Sequence, residues 1–473
     1  MSLAGLRVAA IRDTLAISNI LVVQKLIKLK PLFLATFLVA SGWAQAADLL
    51  ETFRAAQAND PVFAAARATQ QAGQEKLPQG RSLLMPSINL NANTTYNDQN
   101  VQYGAALQSV PPAFAGIFPS ESRFNSHSYG VSLVQPLFRV QNWMAYSESE
   151  LQAAQAGMQF KIAEQDLILR VAQAYFDVLI AQDSVGLAEA QKTAISEQLE
   201  QAKRNFEVGS ATITDTLEAQ ARFDLTGSQQ IAAQNDLEVK RSALQQLINA
   251  TPKDLKPLGK EFKPESPQPA DMGKWLDAAQ QTNMQLAIAQ ANDQIAEKEV
   301  ARNRGGHYPT VDIMANYSRN TNVGSLILGT ESTNKTIGLQ LNMPLFQGGE
   351  VNSKLREAQA NRERAKQELE NARRTVDHQT RQAYLGVVSG MAQVQALQQA
   401  LASSESLLDA SKLGHEVGVR TNLDVLNAQQ QLYSTRRDLY QAQYNYLLSE
   451  LRLKAAVGSL GEEDLIKENQ ALQ

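Results

Sequence analysis

The chain has 473 residues, of which 44% are hydrophobic, 19% charged and 6% aromatic, with a formal net charge of −4 and no cysteine. That length allows two or three domains. The acidic balance argues against nucleic acid as a partner, and the lack of cysteine excludes disulfides and thiolate metal sites.

At the N-terminus, Lys25, Lys28 and Lys30 stand before the apolar run PLFLATFLVASGW, and Ala44-Gln45-Ala46 fits a small-x-small cleavage pattern. Residues 1–46 therefore read as a secretory signal peptide, with an odd extension over 1–24 that an over-called start site would explain. The apolar run is too short for a comfortable membrane anchor. Cleavage removes five basic residues and Asp13, which takes the net charge from −4 to −8 for an exported chain of 47–473. No other run of 18 apolar residues exists, so no helix of the mature chain is expected to cross a membrane.

Residues 47–262 form a first structural repeat. Within it SINLNANTTY (87–96) sets Ile88, Leu90, Ala92 and Tyr96 on one face against Asn89, Asn91 and Asn93 on the other. Tyr129, Val131 and Leu133 likewise oppose Ser128, Gly130 and Ser132. Such period-two alternation predicts strands over about 87–96 and 126–136. No proline then occurs between Pro136 and Pro252, which permits long helices over 139–250. Leu151, Met158, Ile162, Leu169, Phe176 and Leu179 follow coiled-coil spacing. A single helix over 139–205 would reach on the order of 100 Å. The stretch 251–271 holds five prolines and is expected to be a connector rather than a folded domain.

Residues 272–465 say much the same again, before a short tail at 466–473. Val311, Ile313, Ala315 and Tyr317 oppose Asp312, Asn316 and Ser318, and Ile337, Leu339, Leu341 and Met343 oppose Gly338, Gln340 and Asn342. Strands are expected at about 310–318 and 336–344, and long helices over 348–457, where no proline follows Pro344. RVAQAYFDVL at 170–179 answers QTRQAYLGVV at 379–388, and FEVGSATITDTLEAQ at 206–220 answers HEVGVRTNLDVLNAQ at 415–429. The mature chain is thus one unit written twice.

Each strand expected here has about the length of a tilted membrane strand, and apolar-out, polar-in alternation is the pattern of a transmembrane barrel. Tyr96, Tyr129 and Tyr317 near strand ends suit interfacial anchors. A half-buried hairpin on a soluble domain alternates too, but the export signal and the Asn-rich face favour the barrel. Four strands cannot close, because membrane barrels start at about eight. The barrel must be shared between chains, and the spacing leaves eight strands from two copies and twelve from three both open.

The duplicated turn has a purely local explanation. Gly209 and Gly418 end a long helix where a positive φ is usually needed. Thr212 and Thr421 then cap the next helix, with Asp215 and Asp424 three residues on in capping-box spacing.

The order of these motifs, with LMPSI and HYPTV entering strands, PLF leaving them, GGEVNSKLREAQA at 348–360 and the paired VG–T–D–L–AQ turns, resembles the TolC family of outer-membrane efflux and type I secretion channels. The resemblance covers essentially all of 48–468. It implies a mainly α fold with a small β part. Long antiparallel coiled-coil helices would form an α-barrel across the periplasm, and four strands per chain would join a 12-stranded barrel in the outer membrane of a homotrimer. It implies no enzyme activity, no cofactor and no metal, and export of small molecules, proteins or both. Its partners would be outer membrane lipid, a periplasmic adaptor (membrane fusion protein) and an inner-membrane transporter. Loops 97–126 and 319–335 would face outside.

By the same resemblance the duplicated turns lie at the periplasmic mouth. Val208, Gly209 and Ser210, with Val417, Gly418 and Val419, would be the turns on which an adaptor docks. Asp424 matches an aspartate that rings the constriction, and Asn427 stands where well-known members carry a second aspartate. Arg420 matches an arginine that latches the closed mouth, with Thr214 and Asp215 as its partners on a neighbouring coil. His415 replaces the tyrosine of that latch, and an imidazole there would change its bonding near pH 6–7.

Two other classes fit less well. An enzyme finds no support, since His127, His307, His378 and His415 lack metal-ligand spacing and no GxSxG, P-loop or helix-opening GxGxxG occurs. A soluble periplasmic coiled-coil scaffold or adaptor would explain the helices but not the two-faced strands.

Overall fold

The computed structural model describes residues 48–102, 120–251, 254–259, 262–323, 329–470 and Leu472. The expected signal peptide and the middle of each expected outer loop lie outside the described residues.

Three helices lead in: α1 (Leu49–Asn59), α2 (Pro61–Gln74) and α3 (Lys76–Ser82). The hairpin β1 (Ser87–Asn100) and β2 (Glu121–Phe138) follows, then α4 (Val140–Glu207) and α5 (Ile213–Ile248). After the connector come α6 (Met272–Thr282), α7 (Met284–Arg304), β3 (Thr310–Val323), β4 (Thr330–Asn342), α8 (Glu350–Glu416), α9 (Asn422–Val457) and α10 (Glu462–Asn469). The duplication is literal in the helices. α4 and α8 have 68 and 67 residues, roughly 100 Å each, and α5 and α9 have 36 apiece. No described helix is long and apolar enough to cross a membrane.

The strands form one antiparallel sheet in the order β1-β2-β3-β4, so the two hairpins meet at β2 and β3. Its register aligns the alternation of all four. Ile88 lies opposite Leu133, Leu133 opposite Ala315, and Ala315 opposite Ile337. One step away, Asn89, Ser132, Asn316 and Thr336 form a matching row. Neighbours across strands share a face, so one side of the sheet is mainly apolar, with Gln135 and Lys335 as exceptions, and the other mainly polar, with Val134 and Met314 as exceptions. None of the described residues covers the apolar side: Leu90 is 72% exposed and Ile337 82%. Among the described residues the outer edges of β1 and β4 pair with no other strand.

The strands run to 14, 18, 14 and 13 residues, longer than the alternation suggests. Their outer ends are mostly polar, Phe124 and Val323 apart, but still paired. Arg123 holds Asp98 across β1 and β2 at 3.1 Å, and Arg319 pairs with Glu331 across β3 and β4. A 14-residue strand spans about 46 Å, beyond the ~30 Å hydrocarbon layer. Alternation marks only the part that would lie in lipid.

Where the sheet meets the helices, Arg139 just before α4 clamps Asp312 of β3. Nε to Oδ1 is 2.8 Å and Nη2 to Oδ2 is 2.5 Å, and Asp312 is buried. This bidentate pair ties a helix of the first repeat to a strand of the second.

The main core lies at mid-height of the long helices, where α1, α4, α6 and α9 meet around Phe53, Tyr175, Phe176, Tyr444, Tyr446 and Leu451. The Tyr444 hydroxyl donates to half-buried Asp183 at 3.0 Å. Towards the far ends of the coils the core shrinks to two small clusters. One is Ile195, Leu199, Ala202, Ala219 and Leu426, and the other Leu408, Val425, Ala428 and Leu432.

The expected division at residue 465 falls inside α10. Asp464 caps that helix by accepting the Gly461 N–H at 3.0 Å and pairs with Lys454. Leu465 and Glu468 are buried against the body, and Leu472 bridges to Leu258 of the connector. The end of the second repeat thus packs on the segment that joins the repeats.

Candidate functional site

At each duplicated turn a long helix must stop, reverse and start a shorter one. Gly209 and Gly418 sit at φ +77° and +80°, where a side chain would be strained. The freed carbonyls are then used. Asn205 C=O accepts from Ser210 and Ala211 at 2.8 and 3.1 Å, and Gly414 C=O from Val419 and Arg420 at 2.9 and 3.1 Å. Thr212 and Thr421 open the next helices with complete capping boxes. Asp215 accepts from the Thr212 N–H at 2.9 Å and hydroxyl at 2.8 Å, and Asp424 has the same two bonds from Thr421. The turn tips are apolar and bare, with Val208 77% and Val419 76% exposed.

The two turns differ in their polar company. Arg420 stands beside Asp424, Nη1 to Oδ1 3.8 Å, with both side chains substantially exposed; an exposed pair of this length contributes little to stability. The Thr421 backbone N–H, then its hydroxyl, and more weakly Arg420 hold the Asp424 carboxyl below its ordinary value, so it is ionised at neutral pH. The stem of Arg420 lies over Gly414, where an added Cβ would come within 2.7 Å of Cγ. His415 Nδ1 is 3.2 Å from the Arg420 carbonyl. A carbonyl can only accept, so this nitrogen carries the proton in that contact.

Within the chain the expected latch partners are apart. Among the described residues no ion pair joins Arg420 to Asp215, whose carboxylate is occupied by its cap, and Thr214 is exposed. Asn427 is engaged elsewhere. Its Oδ1 accepts from Arg222 Nη2 of α5 at 2.9 Å, while Arg222 Nη1 donates to Gln430 Oε1. Arg222 is a site residue that sequence reasoning missed, because its partners lie 205 and 208 positions away. On α9, Asn422 Nδ2 and Gln429 Oε1 are buried without a hydrogen-bond partner among the described residues.

The model of the family described as "Outer membrane efflux protein" matches residues 52–250 and 275–459. The outer membrane protein TolC of Escherichia coli strain K12 is 32% identical, over 94% of this chain and 89% of that protein. The alkaline protease secretion protein AprF of Pseudomonas aeruginosa is 33% identical, over 92% and 89%. In fold, the chain resembles the outer membrane protein VceC from Vibrio cholerae, with a TM-score of 0.71, 18% identity, and 87% of this chain and 96% of that one covered.

Proposed function

We propose, because this chain belongs to the outer membrane efflux protein family, that three copies of it close into one channel-tunnel. The family is one of transport proteins rather than enzymes. The chain is an outer-membrane efflux or secretion channel of the TolC type that extends into the periplasm.

The observation that carries a barrel shared between copies is the sheet, and the family likeness supplies the number three. It has four strands, two open edges, one mainly apolar face and one mainly polar face. Bilayers leave no unpaired edge, so β4 of one copy must pair with β1 of the next. Three copies give twelve strands with lipid outside and water inside. The coils then continue the lumen through the periplasm and end in a ring of six turns, three of each kind. A soluble scaffold built from the same helices would have no use for such a sheet.

The bare valines of these turns suit contact with a periplasmic adaptor that delivers cargo from an inner-membrane transporter. Three copies of Asp424 around the axis would draw cations and hinder anions. Arg420 would reach Thr214 and Asp215 across a coil boundary in the closed trimer, with His415 buttressing it through the Arg420 carbonyl. AprF is by its name a protease secretion protein, and export here takes in small molecules, proteins or both.

The test is a photo-crosslinking residue at position 210 or 419 in living cells, with outer membranes fractionated and the captured species identified. Capture of an adaptor by a heat-modifiable trimer is the expected result. A monomer in the soluble periplasm would overturn the reading.

A further inference from the structure

Arg222 is a charged side chain on the first repeat that ends on two amides of the second. Its guanidinium donates Nη2–H to Asn427 Oδ1 at 2.9 Å and Nη1–H to Gln430 Oε1. Asn427 and Gln430 lie one turn apart on α9 and present their oxygens to one planar fork, the geometry that suits arginine and not lysine. A groove of about 430 Å³ separates α9 from the α4–α5 coil, lined among others by Ile195, Leu225, Leu426 and Tyr433. Arg222 spans it at the end nearer the turns. Among the described residues, Leu426 is the one buried second-repeat side chain in the small first-coil core beside it. The two coils are thus joined near their tips by one apolar peg and one cationic fork.

We propose that Arg222 is the intrachain positioning residue that holds the Asp424-bearing helix inward, and that Asn427 serves as its acceptor rather than as part of a second acidic ring. This rests on the channel reading above. Asn427 is neutral, so the fork is held without an ion pair. Two exposed hydrogen bonds from a charged group to neutral amides are a restraint that an opening motion can break. A carboxylate at 427 would instead face the guanidinium. Its charge would be neutralised locally, and the fork would close harder. The charge at position 427 reaches the lumen only when Arg222 is absent.

The purified full-length chain in planar bilayers tests this through single-channel conductance and the cation-to-anion permeability ratio. Arg222→Ala is expected to raise conductance about tenfold or more, since loss of hydrogen bonds from a charged group shifts a closed–open balance by at least that order. Asn427→Asp alone is expected to leave the permeability ratio nearly unchanged and conductance equal or lower. Asn427→Asp combined with Arg222→Gln, which keeps hydrogen-bonding capacity without charge, is expected to raise the cation preference clearly above that of Arg222→Gln. Trimer migration on gels establishes that each variant is assembled before it is scored. Asn427→Asp raising cation preference equally with and without Arg222 overturns the proposal, as does unchanged conductance in Arg222→Ala. Failure of the wild-type chain to conduct at all would instead sink the channel reading.

Discussion

Thr212 and Thr421 cap their helices with the same three bonds, and at the second turn Arg420 stands beside Asp424, whose carboxyl is held low chiefly by its cap. The cap and the charge can be separated. Asp424→Asn keeps an acceptor three residues after Thr421 and so keeps most of the cap, which is worth about 1 kcal/mol. It removes three charges from a trimeric mouth. The expected outcome is a lower cation preference in bilayer recordings with a thermal midpoint changed by no more than a few degrees. An unchanged preference would take Asp424 out of the pore. Residues of this kind were legible in the sequence because helix ends are local chemistry: Gly418, Thr421 and Asp424 act on atoms within a few positions. Arg222 and Gly414 were not. The first depends on which face α5 turns to α9, and the second on where the stem of Arg420 comes to rest, and neither is written in spacing.

At the scale of elements, alternation found every strand and shortened each, because it reports lipid on one side and not pairing. The polar strand ends and α10 carried no such periodic signal. α10 is an eight-residue helix whose place is set by burial against the connector. It brings Glu468 beside Glu450 in a cavity also lined by Tyr446, Lys263 and Lys467. Burial first, and then the neighbouring Glu450 carboxylate, push the Glu468 carboxyl up from 4.5 to about 8, against a weaker pull from Lys467 and Lys454. The folded chain therefore keeps a proton that the unfolded chain releases above its ordinary value. The stability linked to this proton is complete below about pH 4.5 and is lost as pH rises through about 8. Thermal midpoints followed by circular dichroism should fall between about pH 5 and 9, and Glu468→Gln should flatten that slope. Equal slopes in the two proteins would show that the carboxyl is not held protonated.

At the scale of the whole molecule, the duplication is resolved by joints between the copies. The β2–β3 pairing makes one sheet of two hairpins, α10 and the connector bridge the repeats at mid-height, and Arg139 locks a first-repeat helix to a second-repeat strand. Removing Arg139 leaves Asp312 buried without its partner, a loss on the order of 3 kcal/mol. Arg139→Ala should therefore lower the yield of heat-modifiable trimer in outer membranes, and Asp312→Asn combined with it should restore part of that yield by removing the stranded charge. No recovery in the double variant would mean that the joint matters for its shape and not for its charge.

The wide core around Tyr175 and Tyr444 and the small clusters beyond Ile195 also make each chain a pair of cantilevers. From Leu179 to Glu207 the free arm is about 40 Å long, so a rotation of about 10° at its root would carry the tip on the order of 7 Å. Compliance is concentrated where little apolar surface has to separate. In the proposed trimer, six such arms would widen the mouth by flexing and leave the waist and the sheet undisturbed.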